Sequence, residues 1–242
     1  INLFGWRGPF VAIACASVFA AVLVAVTLPA PAPSAGLEPV DVAAADGESR
    51  WAPTRITARA WLVMIGSATT AMAGLAVFVI SGSWLDDSFG VSTGAVGAVA
   101  MLFGATELVS SLGSAAFADR LGKLRTTLGG LAGLFVGLAV MVYSDDRLCL
   151  GIVGIVVFLL GFELAFVVSL SLVSESMPNA RGTTLAASNA VGTVARASGA
   201  VLSGWLYGIH GITGTAVLSA AAGLVAVTTL LVSRRPAPAR AG

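Results

Sequence analysis

Hydrophobic and polar positions along this chain are sorted into long blocks rather than alternating or recurring in short periods. Seven apolar runs, Gly8–Leu28, Ala60–Leu85, Val91–Ala118, Thr126–Ser144, Leu148–Ser174, Gly182–Gly208 and Ile212–Ser233, are separated by segments that hold nearly all the charge. A helix rising about 1.5 Å per residue needs about 20 apolar residues to cross the hydrocarbon of a bilayer, and each run has that reach. None shows the in–out alternation over about ten residues that marks an outer-membrane barrel strand. The pattern predicts an all-α, polytopic membrane protein with seven transmembrane helices. One proline-rich segment, Pro29–Arg59, separates an isolated first helix from a block of six. The other connections are short: Asp86–Gly90, Asp119–Arg125, Asp145–Arg147, Glu175–Arg181 and Ile209–Gly211. The expected organisation is a single helix in residues 1–28, a linker in 29–59, a six-helix bundle in 60–233 and a tail in 234–242.

Composition narrows the choice of solvent. The chain is 57% hydrophobic and 10% charged, whereas soluble domains carry about 25% charged residues. A soluble domain of this size has too much surface to cover with so little charge. A net charge of +1 gives no basic footprint for nucleic acid, so no nucleic-acid partner is expected. Cys15 and Cys149 are too few for a disulfide framework and lack metal-site spacing. The lone lysine, Lys123, lies in a loop, which removes an intramembrane retinal Schiff base. One histidine, His210, and no HExxH exclude that metalloprotease class and a bis-histidine haem carrier. No enzyme activity, metal or cofactor is expected; the lipid bilayer is the expected environment.

Basic residues collect on one side of the predicted spans. Arg50, Arg55, Arg59, Arg120, Lys123, Arg125, Arg181, Arg234, Arg235 and Arg240 share one face, against Arg7 and Arg147 on the other. Lys and Arg stay on the cytoplasmic side, so a multi-pass plasma (inner) membrane protein with its N-terminus outside and its C-terminus inside is expected. Trp6, Trp51, Trp61, Trp84 and Tyr143 fall near span ends, as an interfacial aromatic belt would. Gly129, Gly133 and Gly137, and the pair Gly204 and Gly208, are spaced for close helix contact. An outside N-terminus with no signal peptide, opening on Ile1, reads as a fragment whose upstream helices are missing.

Two loops carry recognisable local patterns. In Asp119-Arg120-Leu121-Gly122-Lys123-Leu124-Arg125, Gly122 permits a reversal that a Cβ resists. Asp119 is placed to accept from an arginine or from the free N–H groups near Gly182 and Thr183. The second pattern is Pro178-Asn179-Ala180-Arg181-Gly182, and Gly5-Trp6-Arg7 precedes the first run. In this order and spacing, the motifs and the long linker resemble the major facilitator superfamily, entered at its sixth transmembrane helix. Asp119–Arg125 is similar to that family's D-R-x-G-R-x-x loop between helices eight and nine, and Pro178–Gly182 to the P-x-x-R-G opening of helix eleven. Gly5-Trp6-Arg7 is similar to the G-W-R ahead of helix six in drug and sugar exporters. The chain departs from the pattern at Ala115, where the family usually has glycine.

The resemblance implies the second half-bundle of that fold, built as 3+3 inverted repeats, with the N-terminal half-bundle as a missing partner. It also implies that Asp119, Arg120, Gly122, Lys123, Arg125 and Arg181 form a latch on the cytoplasmic side. The alternative is a basic loop that only sets orientation.

Three ionisable residues lie inside the runs: Glu107, Glu163 and Arg196. A charge at mid-bilayer costs about 2.5–3.5 kcal/mol on insertion scales, so these should face a watery cavity or the bundle interior. Counting along the helices puts both glutamates near the midplane and Arg196 about one turn further out. Asn189, Gly192, Thr193, Gly199 and Ser203 repeat at helical spacing around Arg196, a small and polar stripe. On the family's helix numbering the three charges fall on helices eight, ten and eleven, which line its central cavity. The expected function is proton-coupled export of a small molecule such as a drug or sugar by alternating access, powered by the proton gradient. One glutamate, Glu163 ahead of Glu107, would carry the proton with Arg196 tuning its affinity, and Asn189 and Thr193 would line the cavity beside them. A structural Glu163–Arg196 pair is the competing role. A seven-helix receptor and an inactive truncated remnant are the competing functions.

Overall fold

The computed structural model describes residues 56–144 and 147–234 and, upstream, residues 15, 17–19, 22, 23 and 26; the side chains of residues 93 and 115 are left aside. The chain divides into two compact units, Ile1–Pro53 and Thr54–Gly242. In the first, the described residues are helical and exposed, within the predicted run Gly8–Leu28. Trp6, Trp51 and most of the linker lie outside the described residues.

The second unit is all helix among the described residues, with no strand. Its elements are α1 (Ala58–Phe89), α2 (Thr93–Leu121), α3 (Lys123–Val142) and α4 (Leu148–Ser176). A short 3-10 turn, Pro178–Ala180, leads into a helical stretch, Arg181–Val232, that is broken at Gly211 (φ 59°, ψ −150°). We call its two arms α5 (181–210) and α6 (212–232). Five helical stretches are long and apolar enough to cross a membrane, the last of them long enough for both arms. The six predicted spans of this unit are recovered as α1–α6, and most are extended by a few residues at their ends; the first predicted run, Gly8–Leu28, lies mostly outside the described residues.

Local chemistry explains the boundaries. Thr57 caps α1 by accepting from the Ala60 N–H at 3.2 Å, and Ser92 caps α2 through the Ala95 N–H at 3.4 Å. Gly90 closes α1 in the left-handed conformation, at φ 62°. The expected Asp119–Arg125 loop is far tighter than the sequence indicated: α2 runs to Leu121, Gly122 alone turns the chain at φ 84° and ψ 142°, and α3 starts at Lys123. Thr126 fastens the turn, its Oγ1 donating to the carbonyls of Phe117 (3.1 Å) and Gly122 (3.0 Å). Gly211 does the same work between α5 and α6. There Gly214 sits so close to the Leu206 carbonyl that a Cβ would fall 2.7 Å from its oxygen.

The helices meet through small residues and hydroxyls, as lipid-solvated helices must when apolar attraction gives no preference for protein over lipid. Gly130 and Gly137 of α3 face Gly154, Phe158 and Gly161 of α4 with almost no space between backbones. A Cβ on Gly130 would lie 2.6 Å from Ala165 N and from Gly161 O. Gly133 belongs to this seam as well, but Gly129 has nothing within 4 Å of a Cβ, and neither do Gly204 and Gly208. The close-packing face is therefore Gly130/Gly133/Gly137, shifted from the series that spacing suggested. α1 is clasped by α5 and α6: Ser203 donates to the Ala76 carbonyl at 2.6 Å and Ser219 to the Ala73 carbonyl at 2.9 Å. Ser169 of α4 donates to Ser67 of α1 at 2.9 Å.

α2 shows the hydrocarbon solvent most plainly. Its buried face includes Thr106, Ser110 and Ser114, while Met101, Leu108, Val109 and Leu112 are exposed. Trp84, expected at an interface, is instead 2% exposed and stacks edge-on against Phe89, with centroids 5.3 Å apart. Trp61 and Tyr143 are exposed near span ends as expected.

Candidate functional site

The helix arrangement brings the three intramembrane charges together. Glu107 of α2, Glu163 of α4 and Arg196 of α5 line one cavity of about 110 Å³, otherwise walled by Phe78, Phe103, Phe162 and neighbouring apolar residues. Arg196 also borders an adjoining cavity of about 370 Å³, lined by Ser67 and Ala71 of α1, Phe166 of α4 and Ser188, Asn189 and Gly192 of α5. Ala71, Phe166 and Arg196 are common to both, so Arg196 borders both a small carboxylate-bearing chamber and a larger one of mixed apolar and polar lining.

Each position has a local cause. Gly74 of α1 has no side chain because the ring of Phe162 occupies that space. Phe162 in turn stacks on Phe166 one turn along α4, with centroids 5.7 Å apart and planes 15° apart, and on Phe158 at 6.4 Å and 13°. This ladder fixes the face of α4 from which Glu163 projects. Sequence reading missed the phenylalanines; their i, i+4 spacing was the available signal.

The two glutamates and the arginine share a cavity without pairing. Among the described residues the one ion pair is Lys123–Glu175, so the interhelical Glu163–Arg196 bridge considered from sequence is not formed. Arg196 is held along its own helix, Nη2 donating to Thr193 Oγ1 at 3.2 Å and to Asn189 Oδ1 at 3.5 Å. Thr193 is fixed by donating to the Asn189 carbonyl at 2.8 Å. Glu163 and Arg196 are half-buried and Glu107 is exposed.

The polar stripe of α5 divides in two. Asn189, Gly192 and Arg196 face the larger cavity. Gly199 and Ser203, about one and two turns past Arg196, pack against Met72 and Ala76 of α1 instead. The stripe therefore reads as cavity toward the start of α5 and as helix contact toward its end. Beyond that contact, Tyr207 donates to Asp87 Oδ2 at 2.8 Å, joining the ends of α5 and α1.

Of the loop motif, Arg120 and Arg125 are exposed, and Lys123 bridges Glu175 at the end of α4. Asp119 is exposed, and its side chain makes no hydrogen bond or ion pair among the described residues. Arg181 opens α5 and is exposed. The contact this loop makes thus runs from Lys123 to α4, whereas the expected one ran from Asp119 to the start of α5.

Among the described residues no group of three His, Cys, Asp or Glu could hold a metal. A family model described as Major Facilitator Superfamily matches residues 1–200 and again residues 62–242, the whole chain between them. Neither the curated proteins nor the solved structures gave a match.

Proposed function

The chain belongs to the major facilitator superfamily of membrane transporters, and we propose that it works by proton-coupled alternating access, exporting a small molecule such as a drug or sugar. The observation that carries this reading is the cavity in which Glu107, Glu163 and Arg196 meet unpaired. Two carboxylates and one guanidinium that share a cavity with no ion pair between them can exchange a proton and still offer charge to a substrate. A locked ion pair could do neither without first being broken.

Glu107 supports a second part of the reading. It is exposed on the bundle surface, where lipid would impose about 2.5–3.5 kcal/mol. The open side of the cavity then faces a second, N-terminal helical bundle, and this chain supplies the C-terminal portion of the transporter, with 3+3 inverted repeats. The larger cavity is lined from the early turns of α5, on the side of the basic loops, while Ser203 and Tyr207 join α5 to α1 at the other end. With the basic loops cytoplasmic, that arrangement supports a half-site open to the cytoplasm and shut outward.

The test is Glu163→Gln, with the complete transporter in everted membrane vesicles and ethidium and radiolabelled sugars as probes. Imposing a proton gradient should drive accumulation in the wild type, and the variant should lose at least tenfold of the gradient-driven rate at equal expression. Proton-driven transport that survives the substitution unchanged would exclude Glu163 as the coupling group.

A further inference from the structure

A third cavity, of about 320 Å³, lies at the basic end of the bundle and shares no residue with the two central ones. Its rim is Arg59 from the first turn of α1, Arg234 just past α6 and Glu175 from the last turn of α4. Its floor is apolar, formed by Val63, Leu124 and Leu172. Four helices thus converge on one pocket with charge at the mouth and hydrocarbon below.

The charges at the mouth are not equivalent. Glu175 is engaged by Lys123. Arg59 and Arg234 make no ion pair or side-chain hydrogen bond among the described residues, and both are exposed. The pocket carries two free guanidiniums above one carboxylate already neutralised by its own lysine, so its unspent charge is positive. Two guanidinium donor forks lining one pocket suit a tetrahedral oxyanion, which can accept from both. Basic pockets between transmembrane helices at the membrane surface hold phosphate head groups, and an apolar floor beneath one suits the glycerol and first methylenes of a lipid.

The geometry points to a phosphate-binding site at Arg59 and Arg234, filled by the head group of an anionic lipid or by a free phosphate. Occupancy would tie the end of α6 to the start of α1 at the end of the bundle where the central cavity opens. Lys123 keeps Glu175 from competing for the arginines.

The experiment uses the full chain purified in mild detergent and two probes, phosphatidylglycerol against phosphatidylcholine, and inorganic phosphate. Native mass spectrometry should show one phosphatidylglycerol retained in preference to phosphatidylcholine. The double substitution R59Q/R234Q should reduce that retention at least tenfold, each single substitution about threefold, and R147Q at the opposite end should leave it unchanged. Millimolar phosphate that displaces the lipid, or binds where phosphatidylglycerol is held no better than phosphatidylcholine, assigns the site to free phosphate. Equal retention by wild type and by the monodisperse R59Q/R234Q or single variants, or no binding of either probe to the wild type, overturns the proposal.

Discussion

The ring of Phe162 covers Gly74 so closely that a Cβ on the glycine would lie inside the ring's contact distance. A lone aromatic side chain could swing away, but Phe162 is held between Phe158 and Phe166 in a stack along α4. Gly74→Ala should therefore break the ladder or push α1 from α4. Overpacking of this kind costs about 1–3 kcal/mol, and Glu163, adjacent in sequence, would move with it. The expected outcome is a lower melting temperature in detergent, with lost transport at permissive temperature. Unchanged stability would mean that the ring finds another rotamer.

The glycine seam separates two kinds of glycine that look alike in sequence. At Gly130 an added Cβ meets the Ala165 and Gly161 backbones, which no rotamer can relieve; at Gly129 it meets nothing within 4 Å. Gly130→Ala should be strongly destabilising in thermal unfolding. Gly129→Ala should be neutral or stabilising by up to about 1 kcal/mol, the helix-propensity gain of alanine over glycine. Equal effects at the two sites would contradict the packing of α3 on α4.

Two serines bind α1 from both sides, Ser203 through Ala76 O and Ser219 through Ala73 O. Interhelical hydrogen bonds within membranes average about 0.6 kcal/mol in measured cycles. Ser203→Ala and Ser219→Ala should each lower unfolding free energy by about that much, nearly additively, since they hold different helices. A far larger effect at Ser203 would point to its contact with Thr215 at 3.3 Å, where α5 and α6 come together behind α1.

Lys123–Glu175 spans the basic end between α3 and α4. Both side chains remain partly exposed, so the pair alone contributes at most about 1 kcal/mol. Lys123→Glu should lower the melting temperature slightly, and Lys123→Glu with Glu175→Lys should restore it. Gly122→Ala should be more damaging than either, because its φ of 84° suits glycine and strains any residue with a Cβ. Failure of the charge swap to rescue would show that the bridge has no energetic role.

How much of this was legible in the sequence follows from which force acts where. Hydrocarbon excludes charge, so the spans and the segregation of Glu107, Glu163 and Arg196 could be read from residue types alone. The sharing of one cavity by those three residues was foreshadowed by depth counting, because helix rise is constant. Azimuth was not readable. Gly129 and Gly130 differ by 100° around a helix, and only the facing helix decides which packs. The polar stripe of α5 split for the same reason: Ser203 and Asn189 share spacing, but α1 fills the space beside one and leaves a cavity beside the other. Trp84 was misplaced because proximity to a span end does not say whether a neighbour such as Phe89 covers the ring.

Exposure in a membrane protein has two meanings, and one labelling experiment separates them. Asn189 lines the larger cavity, whereas Val201 on the same helix is 74% exposed and lines neither central cavity. If the first exposure is to water and the second to lipid, thiols placed there will differ sharply, because maleimides react with the thiolate and hydrocarbon suppresses ionisation. With Cys15 and Cys149 replaced by serine, Asn189→Cys should react with a membrane-impermeant maleimide at least tenfold faster than Val201→Cys. The faster reaction should need reagent on the side of the basic loops, since Ser203 and Tyr207 tie α5 to α1 at the other end. Comparable labelling of both thiols would mean that the cavity is filled by lipid or protein, and the unpaired charges around Arg196 would then lack the water through which a proton could reach them.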